Sequence, residues 1–168
     1  GMPIHGLYIC FATMPEQWEI QIADGKDWMT YQQGDTRFLH TYVSLPDGAE
    51  KIRIICTSEK KTAMRINELY VFTEGDVPNW VQRWEPTHEN ADILFISTHP
   101  DDELIFFGGA IPTYAAEMQR KVVVAYFSRS NPTRSSELLN GLWYMGVRNY
   151  PVMSDFPDLY SDFFVVMP

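Results

Sequence analysis

The stretch STHPDDELIFFGG at 97–109 sets one histidine, His99, beside three acids, Asp101, Asp102 and Glu103. Like charges crowded together repel unless a cation or a proton relieves them. One imidazole and one carboxylate are suitable zinc ligands, and a metal with an open position lowers the pKa of bound water from about 15.7 to about 7. A second carboxylate beside the metal, but not bound to it, can then take the proton from that water. The same residues also suit a helix cap, with Asp101 or Asp102 capping, Glu103 in the first turn and His99 a satisfied loop residue. The field at a helix end favours acids by only about 0.3–1 kcal/mol, too little alone to account for three in a row.

Chemistry of this kind needs elements that present it. In open α/β sheets, functional groups gather at the carboxyl ends of strands, where loops turn into helices. ILFISTHPDD reads as a continuous apolar run of the buried parallel-strand kind, ending on the acids. ELIFFGGAIPTYAAEMQ has helical content, with a kink or a two-part helix expected at Gly108, Gly109 and Pro112. KVVVAYFS is a second buried strand, RSNPT a loop, and SSELLNGLWYMG a helix with Leu138, Leu142 and Met145 on one face and Gly146 as C-cap. YPVMSDF is the next strand or its approach, and SDFFVVMP closes the chain on apolar residues, so this part reads as an incomplete sheet with an open edge.

The first half is different. LYICFA, WEIQI, WMTYQ, FLHTYVSL, KIRIICT and MRINELYVF read as six short strands, punctuated by ADGKD, QQGDT and LPDGAE. That spacing predicts an antiparallel sandwich over 1–75, followed by a linker over 76–90 and an α/β part over 91–168. No internal repeat is visible.

Bulk properties exclude some functions. A net charge of −9 argues against a nucleic-acid surface, which needs clustered Lys and Arg. No apolar run approaches the roughly 18 residues of a membrane span, and GMPIHG shows no signal-peptide pattern, so the chain reads as soluble with no address in its sequence. Gly1 ahead of Met2 reads as a remnant of expression. Cys10 and Cys56 read as small buried residues, bridged only if their strands are neighbours. Ser128, Ser130, Ser135 and Ser136 have no histidine placed to activate them, and no G-x-S-x-G is present. Gly108–Gly109 lacks the remainder of a phosphate loop. Trp18, Trp28, Tyr31, Trp80 and Trp84 read as core and linker packing, with a sugar platform as the alternative.

HPDDE at 99–103 followed by GG at 108–109 resembles the signature of the PIG-L/LmbE family of zinc-dependent N-acetylglucosamine deacetylases. Arg134, Glu137, Gly141 and MGV at 145–147 resemble that family's R-x-x-E-x-x-x-A-x-x-x-L-G-V segment, with Gly and Met in place of Ala and Leu. The two matches cover about 92–147. They imply a Rossmann-like α/β domain and hydrolysis of an N-acetyl group on an amino sugar or glycolipid. By position, His99 and Asp102 resemble two zinc ligands, Asp101 the general base and Arg134 a substrate-holding residue, while Glu103 anchors the loop. The resemblance also implies a third histidine ligand from a later segment, and no histidine follows His99. KIRIICTSEKKTAMRINELYVF resembles the closing strands of galactose-binding-like (discoidin-type) sandwiches, which implies a carbohydrate ligand or a scaffolding role. That region is short for a complete sandwich of the type, as if its opening strands were missing. The expectation is thus a β-sandwich followed by an incomplete Rossmann-like deacetylase domain. The alternatives are a non-catalytic carbohydrate-binding or scaffolding protein with a relic motif, and self-association through the incomplete sheet.

Overall fold

A computed structural model describes residues 2–59, 63–73, 75–128, 131–154 and 156. The chain divides into two compact units, 1–84 and 85–168. No helix among the described residues is long and apolar enough to cross a membrane.

All six short strands of the first unit form: β1 (Gly6–Thr13), β2 (Trp18–Asp24), β3 (Asp27–Gln33), β4 (His40–Ser44), β5 (Ile52–Cys56) and β6 (Arg65–Phe72). They make two antiparallel sheets with strand orders β4-β1-β6 and β3-β2-β5. Period-2 alternation in β1 sends Leu7, Ile9 and Phe11 to a core shared with Trp18 and Ile20 of β2. Tyr8 and Cys10 point the other way, and there Val81, Val77, Trp80 and Phe72 cover them. Residues of the stretch read as a linker are therefore packed inside this unit, with Val81 and Trp84 buried. Cys10 and Cys56 lie in different sheets and are not bridged to each other.

The second unit holds one parallel sheet, β7 (Ile93–Ser97), β8 (Val122–Tyr126) and the two-residue β9 (Val152–Met153). Between β7 and β8 run α1 (Asp102–Phe107), α2 (Ala110–Pro112) and a π-helical turn, Thr113–Glu117. The interruption falls where Gly108, Gly109 and Pro112 break the helical pattern. α3 (Pro132–Tyr144) buries Leu138, Leu139, Leu142 and Trp143. Gly146, at φ 88, ends it: its N–H reaches the Trp143 carbonyl and the Val147 N–H reaches Leu142. The segment 161–168 lies outside the described residues.

The expected architecture is corrected. A Rossmann-like sheet has helices on both faces and a strand order that reverses at a switch point. Here the order β7-β8-β9 runs one way, and Leu94 and Ile96 of β7 are 54% and 52% exposed. β7 is thus an edge strand open on one face, and only β8 is buried in the manner expected of both. Nor do the first six strands make the expected galactose-binding-like sandwich. Each sheet has three strands, all seven residues of β3 are exposed, and no residue of β6 is fully buried. A sandwich strand would bury every second side chain. The chain is a sheet-rich molecule of small sheets.

Candidate functional site

β7 delivers the chain to the acidic stretch. Beyond Ser97 the backbone leaves the sheet, and Asp102, the first residue of α1, folds its side chain back over the turn. Asp102 Oδ2 accepts the backbone N–H groups of Thr98 and His99, each at 3.0 Å. His99 Nδ1 lies 3.9 Å from the same oxygen, with the two side chains 37% and 22% exposed. One carboxylate thus fixes the loop that carries the imidazole.

Asp101 occupies the N-cap position of α1 but makes no side-chain cap bond. Its carbonyl accepts the Leu104 and Ile105 N–H groups at 2.9 and 3.0 Å. Its φ is 120, a left-handed value that costs a non-glycine residue roughly 1–3 kcal/mol. The carboxylate turns instead to α3, where Asp101 Oδ2 accepts from Arg134 Nη2 at 2.8 Å. Arg134 is placed by its own helix start: Asn131 Oδ1 accepts the Arg134 N–H at 3.1 Å, with Pro132 opening the helix. Glu137 Oε2 stands 3.7 Å from Arg134 Nη1. The Asp101 carboxylate raises the Arg134 pKa, so the guanidinium charge is secure. Both partners are more than a third exposed, and such a pair contributes only about 0–1 kcal/mol to stability. Its importance is geometric.

Glu103 is wholly buried. Its Oε2 accepts the Asp101 N–H at 2.9 Å, and the Tyr126 hydroxyl faces the same carboxyl group. Burial pushes the carboxyl pKa up, against the Asp101 N–H that favours the anion. Tyr126 ends β8 in register with Ser97 at the end of β7; its hydroxyl faces the Glu103 carboxyl, while the buried Ser97 hydroxyl has no hydrogen-bond partner among the described residues. The Tyr126 phenol is raised far above its usual pKa, first by burial and then by the Glu103 charge. Leaving a buried hydroxyl such as that of Ser97 unpaired costs about 1–3 kcal/mol. Sequence reasoning assigned Glu103 to anchoring but missed Ser97 and Tyr126. The readable signal was one polar residue closing each apolar run, ILFIS and VVVAY.

His99, Asp101, Asp102 and Arg134 therefore meet at one end of the parallel sheet. Among the described residues no hydrogen bond reaches Asp101 Oδ1 or Asp102 Oδ1. Among the described residues no group of three His, Cys, Asp or Glu side chains gathers around a common point, so His99 and Asp102 offer a metal two donors. Ser128 and Ser135 are buried, and Ser130 lies outside the described residues. Trp18 and Trp84 are core residues, Trp80 packs on Tyr8 and Tyr70, and Trp28 lies 4.5 Å beneath the Arg53 guanidinium.

Comparison with family models, curated proteins and solved structures gave no match. The functional reading rests on the residues themselves.

Proposed function

We propose that the second unit carries a hydrolytic site for the N-acetyl group of an N-acetylglucosamine-type sugar or glycolipid, with a zinc-type ion held by His99 and Asp102. The observation that carries this reading is the approach of His99 Nδ1 and Asp102 Oδ2 to 3.9 Å beside a carboxylate, Asp101, that is not committed to the same oxygens. An imidazole and a carboxylate are the right donor types, although a catalytic zinc normally takes three protein ligands and here two are in place. When bound, such an ion supplies polarisation of the amide carbonyl and a water pKa near about 7.

The protein groups do the rest. Asp101 shares Oδ2 with Arg134 and keeps Oδ1 open, so it takes the proton from the attacking water and returns it to the departing amine. The Arg134 guanidinium fixes that carboxylate and presents positive charge where an acyl oxygen becomes negative. Water adds to the acyl carbon and the C–N bond breaks, leaving acetate and the free amine.

Zinc content per chain after dialysis against trace zinc tests the site. Near one equivalent is expected, lost in His99→Ala and retained in Asp101→Asn, while Asp101→Asn abolishes release of acetate from an N-acetylated sugar. Equal turnover in Asp101→Asn would remove its role as base. The competing reading is a non-catalytic sugar-binding or scaffolding protein, favoured by the commitment of Asp102 Oδ2 to two backbone N–H groups. No zinc in the wild-type protein decides for it.

A further inference from the structure

We infer that Glu103 is a positioning residue that holds Asp101 in its left-handed backbone conformation and so aims the Asp101 carboxylate at Arg134. The inference builds on the reading of Asp101 as base, but its geometry stands apart from it. An aspartate at φ 120 does not stay there unaided, because its Cβ crowds the following carbonyl. The usual remedy at an N-cap is a side chain bonded to its own first turn. Asp101 does not use it, since its carboxylate is engaged 33 residues away on α3.

The Asp101 carbonyl is held by the first turn of α1, and on the other side of the residue its N–H donates to Glu103 Oε2 at 2.9 Å. Glu103 itself cannot swing away. It is fully buried, on the side of the sheet where Phe107 and Tyr114 pack on Phe95, and next to it stands the Tyr126 hydroxyl. A buried acceptor fixed in this way clamps the amide, the amide fixes the peptide plane, and the side chain leaves Cα toward Arg134.

Amide hydrogen exchange at Asp101, followed by NMR on the full chain without metal or substrate, tests this. Glu103→Met fills the volume without an acceptor, and is expected to speed Asp101 exchange by about tenfold or more. The Val124 amide in β8 should keep its protection. Glu103→Gln still offers an oxygen, and should keep Asp101 within about threefold of wild type. The Arg134 side-chain nitrogen resonances provide a second signature. In Glu103→Met they should move toward their positions in Asp101→Asn, and in Glu103→Gln they should not. Unchanged Asp101 exchange in Glu103→Met overturns the inference, as does exchange in Glu103→Gln as fast as in Glu103→Met. If Glu103→Met does not fold, the Gln variant decides alone, and a loss of Asp101 protection beyond about tenfold in it is the overturning result. Absence of zinc from the wild-type chain would sink the hydrolase reading and leave the exchange result intact.

Discussion

Asp101 and Asp102 are adjacent, chemically identical and put to opposite uses. Asp102 spends one oxygen on the loop beneath it, while Asp101 reaches across to a helix from a distant stretch. Residue type and spacing pointed to the cluster, but they could not apportion these tasks, because the partner of each carboxylate depends on a φ angle and on where α3 begins. His40 shows the same limit. It lies in β4 opposite Cys10, fully buried, with Nδ1 2.8 Å from Gln82 Oε1 and 3.3 Å from the Tyr8 hydroxyl. Tyr8 and Cys10 from β1 and Glu68 from β6 are the titratable groups around it. Burial lowers the His40 pKa, outweighing Gln82 and Glu68, and pushes the Cys10 thiol up to about 11, which leaves that thiol unreactive. A depressed histidine pKa means that the unfolded chain takes up the proton first. The stability His40 contributes as a neutral ring is therefore complete above about pH 6.5 and is lost as pH falls toward its folded value, by up to about 1.4 kcal/mol per pH unit. Urea unfolding at pH 7.5 and 5.5 should show this loss in the wild type and a smaller one in His40→Gln. An equal loss in both would exclude His40 as its source.

At the scale of elements, local chemistry was the legible part. Turn residues separated six strands correctly, and Gly146 marked the end of α3, because both signals depend only on nearby backbone. What the sequence could not express was neighbourhood. ILFIS and VVVAY look alike as apolar runs, yet β7 is an edge strand with two exposed aliphatic side chains and β8 is the buried centre. Which strand is covered is a property of the sheet, and the expected doubly covered sheet failed on that point. Close packing between elements was equally silent. Gly34 donates its N–H to the Trp18 carbonyl at 2.7 Å, and a Cβ at Gly34 would overlap the buried Trp18 ring. Trp18 is 1% exposed and tilted against Phe11, so it has no space to yield. Gly34→Ala should cost about 3 kcal/mol, the upper end of overpacking penalties, whereas Gly25→Ala meets no neighbour and pays only for its positive φ. Chemical denaturation of the two variants gives the comparison, and similar midpoints would contradict this account of Gly34.

For the whole molecule, the useful boundary falls between Trp84 and Glu85. Composition suggested a linker over 76–90 because Pro, Gly and charge cluster there, and composition does not reveal that the first part of that stretch is an apolar cover. Val77, Trp80 and Val81 close the outer face of β1, and Gln82 accepts from both His40 and the Trp84 indole. A chain ending at Trp84 is therefore expected to fold alone, with dispersed amide resonances and a cooperative urea transition. A chain ending at Gly75 should lose that cooperativity, since Tyr8 and Cys10 would face water. Equal behaviour of the two would show that the cover contributes nothing. The same closure sets an order of events on the ribosome. The His40 ring is made 42 residues before the Gln82 side chain that receives it. At about 5–20 residues per second, that is a wait of about 2–8 s, and from Phe72, where the last strand of the two sheets ends, to Gln82 they are complete in sequence but unsealed. Slowed decoding between 77 and 84 would prolong the interval in which a nascent chain offers β1 to chaperones, so synonymous codons there bear on yield without altering one residue of the product.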